Sequence, residues 1–142
     1  MDTLVNNAGI YDANKLIGAY HVSSDMRVLE TNLVGTILGT TLSLEKMSQE
    51  GGGAGGLVVQ ISSTAALIST GASSLYTASK YGMLGYVRSH GPDAEKLTGV
   101  RMVAVCPGMT DTHLVRRVLN NWEGEVKFNE NTRALNPQEV SN

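Results

Sequence analysis

The chain has 142 residues, a formal net charge of -2, and 17% charged against 42% hydrophobic residues. That length allows one domain around a single core, and that composition excludes a disordered chain. Lys and Arg gather nowhere beyond Arg116-Arg117, so the electrostatic footprint of a nucleic-acid partner is absent.

A single cysteine, Cys106, sits in the apolar run VRMVAVC. It reads as a small core residue, no intramolecular disulfide can form, and a reducing, cytoplasmic setting is expected. His21, His90 and His113 lie far apart, so no metal is expected. Nothing approaches the roughly 18 continuous apolar residues of a membrane span. The start, MDTLVNNAG, has neither the basic end nor the apolar stretch of a signal peptide, so no membrane partner is expected.

In chain order, Thr3 to Asn6 reads as a short strand and Asn7-Ala8-Gly9 as the turn leaving it, with Gly9 able to take a positive φ. Residues 10–24 read as loop with one helical turn at most. Asp25 is a plausible N-cap for a long helix. There Met26, Leu29, Leu33, Ile37, Leu38, Leu42 and Leu44 recur at three- and four-residue spacing and predict the buried face. Gly35 and Gly39 are costly inside a helix. They fit either a tight contact between subunits or close packing on the chain's own sheet.

The run from Gly51 to Gly56 formally satisfies G-x-G-x-x-G through Gly51, Gly53 and Gly56. That pattern binds a pyrophosphate when it follows a strand and opens a helix. Here it follows a helix and leads into a strand, Leu57 to Ile61, so it reads as a flexible connector. The strand is nearly all apolar, as expected when both faces are covered. Ser62-Ser63 then falls at its carboxyl end, where open α/β sheets place ligands.

A loop rich in Ser, Thr, Gly and Ala follows, then a helix carrying Tyr76 and Lys80. Gly91-Pro92 is expected to break or kink it, with helix resuming from Asp93 to Leu97. Val100 to Cys106 is a third buried strand, closed by Pro107-Gly108, and His113 to Asn121 a further helix. Trp122 to Asn142 is polar and weakly periodic. Strands alternating with helices imply a parallel sheet with right-handed crossovers, an α/β fold.

Tyr76 and Lys80, four apart, project from one helix face. A free phenol titrates near pH 10, and an adjacent ammonium is expected to lower that value, so Tyr76 could take a proton from an alcohol. Ser63 could hold the same oxygen, and a hydride acceptor would complete an oxidation. By itself the spacing equally describes a buried aromatic beside a solvated charge.

Taken together, Asn7-Ala8-Gly9 after one strand, Asn32 in Thr31-Asn32-Leu33, Ser63 after a second, Tyr76-x-x-x-Lys80, and Pro107-Gly108 with Thr112 after a third resemble the classical short-chain dehydrogenases/reductases. The stretches ISSTAAL, YTASKYGMLGYVRS and TGVRMVAVCPGMTDT are similar to the 15-hydroxyprostaglandin dehydrogenase group and its insect alcohol-dehydrogenase-like relatives. The resemblance covers about residues 3 to 120.

It implies a partial Rossmann-like three-layer sandwich, with three parallel strands that would be the family's fourth to sixth, in a single partial domain spanning 1–142. Tyr76 would be the general base, Lys80 would tune it and hold the nicotinamide ribose, and Ser63 would orient the alcohol oxygen. Asn32 would mark a helix irregularity holding a proton-relaying water. Asn7, Ala8 and Gly9 would border the adenosine side of the cofactor. Pro107, Gly108, Thr110 and Thr112 would line the nicotinamide, Thr112 being equally well placed as a simple helix cap.

The implied coenzyme is NAD, with NADP not excluded, the substrate a small alcohol or ketone, and the full-length protein a homodimer. The family's Gly-rich phosphate loop has no counterpart here. On the order of 75 residues are expected in front, counting crossover units at roughly 30 residues or more each. Ser73 stands where the prostaglandin enzymes carry glutamine, which puts a prostaglandin substrate in question. An epimerase or dehydratase using the same Tyr and Lys, and an inactive truncated module that pairs through its long helices, are the competing readings.

Overall fold

The computed structural model describes residues 1–11, 22–68 and 73–120. Residues 12–21 of the loop predicted over 10–24, residues 69–72 of the Ser-, Thr-, Gly- and Ala-rich loop, and the segment beyond Asn120 lie outside them, while residues 22–24 of the first loop are helical.

Three strands, β1 (Thr3–Asn6), β2 (Gly56–Ile61) and β3 (Val100–Val105), form a parallel sheet in the order β1-β2-β3. Leu4 pairs with Val58 and Val58 with Met102, so one face carries Leu4, Val58 and Met102, while Val5, Val59 and Val103 align on the other. The parallel α/β architecture expected from the alternating pattern is thus present.

Helix α1 (Val22–Leu29) passes through a π-helical turn, Glu30–Val34, directly into α2 (Gly35–Met47). The helix begins before Asp25, which falls in its first turn instead of at the cap. Helix α3 (Ser74–Thr98) and the short α4 (His113–Asn120) complete the described elements. Met47 from α2 and Ala94 from α3 pack with Val58, Val100 and Met102, so both helices cover the same sheet face. The opposite face is left half-exposed, with Val5 53% and Val105 38% accessible. The apolar run of β2 therefore meets helices on one side only among the described residues.

The face α2 turns inward differs from the predicted one. Its buried residues are Thr36, Thr40, Ser43 and Met47, whereas Leu38 and Leu42 are 58% and 59% exposed. The inward hydroxyls meet their hydrogen-bonding needs within the helix: Thr36 donates to the Asn32 carbonyl (2.7 Å), Thr40 to that of Thr36 (2.8 Å) and Ser43 to that of Gly39 (2.8 Å). A hydroxyl bonded four residues back can be buried without a partner on the neighbouring element. At Gly39 helix α2 comes close to the end of β1, since a Cβ there would lie 2.9 Å from Asn6 Oδ1. For Gly39, the same-chain packing reading holds.

Proline does not interrupt α3, which runs through Pro92 without a break. Crowding between a proline ring and the Cβ before it normally bars helical backbone at that preceding position. Here the preceding residue is Gly91, which has no Cβ and packs 3.6 Å from Met102 as measured from an ideal Cβ position. The helix ends at Gly99 in a left-handed conformation, φ 73°, with its N–H bonded to the Glu95 carbonyl.

The glycine run is an ordered turn and not a flexible tether. The N–H groups of Gly51 and Gly53 both bond to the Ser48 carbonyl, that of Gly55 to Met47, and that of Gly56 to Gly99 across to β3. A Cβ at Gly53 would collide with the Met47 carbonyl. No phosphate-binding arrangement arises here, because the turn enters a strand.

Candidate active site

The carboxyl ends of all three strands converge on one cleft of about 520 Å³, lined by Asn7, Gly9, Ile61, Ser62, Ser63, Tyr76, Lys80, Pro107, Gly108, Thr110, Thr112, Leu114 and Val115. Backbone bonding continues past the strand ends. Ser62 N–H donates to the Val105 carbonyl (2.8 Å) and Thr64 N–H to that of Pro107 (2.9 Å), which sets Ser63 beside the Pro107-Gly108 turn.

Ser63 is in extended backbone, φ -167° and ψ 158°, and accepts from Ala65 N–H at 3.1 Å, capping the single 3₁₀ turn Thr64–Ala66. Its hydroxyl shares the cleft with the Tyr76 phenol and pulls the phenol's titration downward. The start of α3 brings Tyr76 there: Ser73 caps the helix by accepting from Tyr76 N–H at 3.2 Å. One turn on, Lys80 is almost wholly buried and donates through Nζ to the Ile61 carbonyl at 2.8 Å. The Ser62 hydroxyl returns a bond to the Lys80 carbonyl at 3.1 Å. These two bonds staple α3 to the end of β2.

The electrostatics differ from the sequence expectation in one respect. Lys80 Nζ lies 5.5 Å from the Tyr76 ring centroid. Even so, the phenol is pushed above its ordinary value of 10.0 by burial, with the Ser63 hydrogen bond pulling the other way. Burial also pulls the Lys80 ammonium down to about 8, opposed by the charge of nearby Cys106. Removal from water sets the direction of both shifts, and the net displacement of Tyr76 is upward.

Asn32 sits in the π-helical turn, fully buried and off the cleft. Its Oδ1 accepts from Ile10 N–H at 2.8 Å, and its Nδ2 donates to the Ile10 carbonyl at 2.9 Å and to Ser79 Oγ at 3.1 Å. Ser79 in turn donates to the Tyr76 carbonyl at 2.7 Å. Every hydrogen-bonding position of the amide except one acceptor lone pair is thus occupied by protein. The helix irregularity implied for Asn32 is present, and the amide group itself ties α1–α2 to the loop after β1 and to α3.

Asn7 and Gly9 line the cleft, while Ala8 is exposed and stays off its lining. Gly9 does not use a positive φ; its ideal Cβ would fall 3.5 Å from Asn32 Oδ1 and 3.8 Å from Lys80 Nζ. Its small size keeps the backbone close to both. Thr110 donates to the Gly108 carbonyl at 3.2 Å. Thr112 serves as the cap of α4, accepting from Val115 N–H at 3.4 Å, and also faces the cleft, where its O–H remains a donor. Asp111 and Arg116 pair at 2.7 Å and 2.8 Å on the outside of the same turn.

Sequence reasoning missed Tyr11, whose ring centroid lies 4.9 Å from that of Tyr76 at an interplanar angle of 51°. It missed Ser79 too, and marked Ser62 only as the neighbour of Ser63 at the end of the strand. A hydroxyl three residues after Tyr76 and next to Lys80 was the visible signal for Ser79, while Tyr11 offered no spacing to read.

The cleft suits one end of a nicotinamide dinucleotide. Its lining combines the amide and hydroxyl groups of Asn7, Thr110 and Thr112 with apolar Ile61, Leu114 and Val115, and Lys80 is the only charged residue among the described lining residues. That donor set fits a carboxamide-bearing ring and its ribose. The diphosphate has no second cation among them. Among the described residues, no group of three or more His, Cys, Asp or Glu could hold a metal, and no helix is long and apolar enough to cross a membrane.

A parallel α/β sheet whose strand ends gather Ser63, Tyr76 and Lys80 around one cleft defines a dinucleotide-type oxidoreductase fold. Residues 1–123 match the short chain dehydrogenase family, and the chain belongs to it. It is 36% identical over 138 residues to 15-hydroxyprostaglandin dehydrogenase of Mus musculus, a relative whose name specifies NAD(+), covering 95% of this chain and 48% of that protein. It is 33% identical over 144 residues to alcohol dehydrogenase 2 of Ceratitis cosyra, covering 97% and 52%. In structure it is similar to ElxO with NADP bound, with a TM-score of 0.73 at 27% identity over 87% of this chain and 48% of that one. The chain spans about half the length of these relatives.

Proposed function

We propose that the chain carries the catalytic segment of an NAD(P)-dependent dehydrogenase that reversibly oxidises a secondary alcohol to a ketone. The observation that carries this reading is the convergence of Ser63, Tyr76 and Lys80 on one cleft at the carboxyl end of β2. The dehydrogenase relatives support the reaction class, and the name of one of them favours NAD as coenzyme, while the ElxO structure keeps NADP open.

Asn7, Gly9, Pro107, Gly108, Thr110 and Thr112 would hold the nicotinamide end of the cofactor, with Ala8 outside the contact surface. Bound there, the dinucleotide supplies the acceptor for the hydride leaving the carbinol carbon. Tyr76 takes the hydroxyl proton as that carbon becomes a carbonyl, and returns it in the reverse direction. Ser63 donates to the substrate oxygen and stabilises the charge that develops on it. Lys80, anchored on the Ile61 carbonyl, holds a positive charge against the phenol ring. Because burial keeps the phenol protonated near neutral pH, proton donation to a ketone is favoured there and oxidation gains with rising pH.

In the whole protein, Tyr76→Phe is expected to leave the fold intact and to lower alcohol oxidation with NAD(+) by about 10²-fold or more. Turnover retained by that variant would remove the assignment.

A second reading is favoured by α2. Val34, Leu38 and Leu42 form an outward stripe, 46%, 58% and 59% exposed. We propose this stripe as the surface through which two subunits pair, and sedimentation of Leu38→Glu against the unmodified protein tests it, loss of self-association being expected.

A further inference from the structure

We infer that Tyr11 is a positioning residue for Tyr76: its ring, fixed in place through the Asn32 clamp on Ile10, packs against the catalytic ring and keeps water and alternative ring orientations away from it. The inference rests on the dehydrogenase reading for its functional meaning and on geometry for its substance.

Residues 7–11, which follow β1, have no regular structure of their own, and the residue that leads into Tyr11 is held unusually well for such a segment. Both main-chain polar groups of Ile10 bond to one buried side chain, Asn32, at 2.8 Å and 2.9 Å. A backbone unit held by two bonds to the same amide can neither shift along the chain nor turn over. The next side chain therefore leaves from a fixed base. Tyr11 uses it to set its ring 4.9 Å from that of Tyr76, tilted by 51°, within the range of favourable aromatic contacts.

Tyr76 is otherwise held at its backbone by Ser73 and Ser79, and its hydroxyl shares the cleft with Ser63. Among the described residues, Tyr11 and Lys80 lie against the ring itself. A phenol on two rotatable bonds swings unless its ring is packed, and a swing of the ring carries the oxygen off Ser63. Asn32 thus acts on the site by a second route besides its Ser79 contact: amide to Ile10, Ile10 to Tyr11, ring to ring. The burial that dominates the Tyr76 titration is consistent with this cover.

The test reads the Tyr76 phenol directly and needs no turnover. Tyrosine labelled with carbon-13 at Cζ is incorporated into the protein, the Tyr76 signal is assigned with Tyr76→Phe, and its titration is followed in Tyr11→Phe and Tyr11→Ala. Among the described residues, Lys80, Ser63 and Tyr11 are polar or titratable groups that pack against or act on the phenol, and Cys106 acts on Lys80. Tyr11→Phe keeps the ring and is expected to leave the Tyr76 titration in place. Tyr11→Ala opens the phenol to water and is expected to lower it by about one unit. Should the alanine variant not fold, Tyr11→Leu is read instead, with a smaller fall in the same direction.

An unchanged Tyr76 titration in the folded alanine or leucine variant overturns the inference, whatever happens to the melting midpoint. So does a raised KM with an unmoved pH profile, which would make Tyr11 a substrate contact. Failure of the dehydrogenase reading shows separately, as turnover by Tyr76→Phe.

Discussion

Asn32 grips Ile10 by both of its main-chain polar groups, so a residue in the middle of a long helix holds the loop leaving the first strand. The grip needs the π-helical turn, which displaces one residue from the regular helical ladder and aims the amide sideways. Three hydrogen bonds depend on this fully buried side chain. Asn32→Ala is expected to lower stability by about 2 kcal/mol, a figure in line with buried hydrogen bonds lost on one side while the Ile10 groups regain water. Urea unfolding at pH 7 measures it, and Asn32→Asp, which cannot donate from both positions, should recover little.

Lys80 sets a pH dependence whose sign follows from its burial. In the folded chain its value is pulled from 10.5 to about 8. Below pH 8 both folded and unfolded forms carry the proton, and the folded form bears the full desolvation penalty. Between 8 and 10.5 the unfolded form holds more protons, so stability rises with pH across that window. Tyr76, shifted upward, acts only above 10.0, where the unfolded form loses its proton first and stability falls again. Thermal midpoints recorded from about pH 7.5 to about pH 10 should climb in the unmodified protein and stay flat for this group in Lys80→Met.

Residues whose positions follow from linear spacing are legible in the sequence itself. Tyr76 and Lys80 are one turn apart, and Ser63 and Pro107 each end an apolar run, so their meeting at the strand ends needs only the parallel order of the sheet. The inward face of α2 is not legible in the same way. Counting apolar residues picks Leu38 and Leu42, and cannot see that Thr36, Thr40 and Ser43 bond their own helix and bury at little penalty. Pro92 misleads for a related reason: a breaker is judged by its own ring, while the missing Cβ of Gly91 lifts the restriction on the residue before it. Tyr11 is invisible because a ring contact with Tyr76, distant in sequence, leaves no period.

Gln60 is fully buried in the middle strand, donating from Nε2 to Thr40 Oγ1 at 2.7 Å while its Oε1 has no protein partner among the described residues. The orphaned carbonyl oxygen opposes what the amide gains by donating. Gln60→Met, close in volume, gives up one bond and removes the orphan, and is expected to change stability by less than about 1 kcal/mol. Gln60→Glu places a carboxylate beside Thr40 in a buried layer that holds no cation among the described partners, and should destabilise by about 3 kcal/mol or more near pH 7, much less near pH 4 where the acid is neutral. Parallel denaturation curves for the two variants check both the sizes and the pH contrast.

Gly39 and Asn6 form a pair in which the missing side chain of one makes room for the other. A Cβ at Gly39 would stand 2.9 Å from Asn6 Oδ1. Asn6 cannot simply swing aside, because its Nδ2 donates to Thr40 Oγ1 at 3.1 Å and to the Thr36 carbonyl at 3.3 Å. Alanine favours a helix interior over glycine by about 1 kcal/mol, while losing both Asn6 bonds costs about 2 kcal/mol. Gly39→Ala alone should therefore destabilise by about 1 kcal/mol. In an Asn6→Ala background the obstacle is gone, and the same substitution should stabilise by about 1 kcal/mol. A double-mutant cycle on the two positions reads the coupling as the difference, about 2 kcal/mol, and additive effects would show that α2 does not depend on this approach to β1.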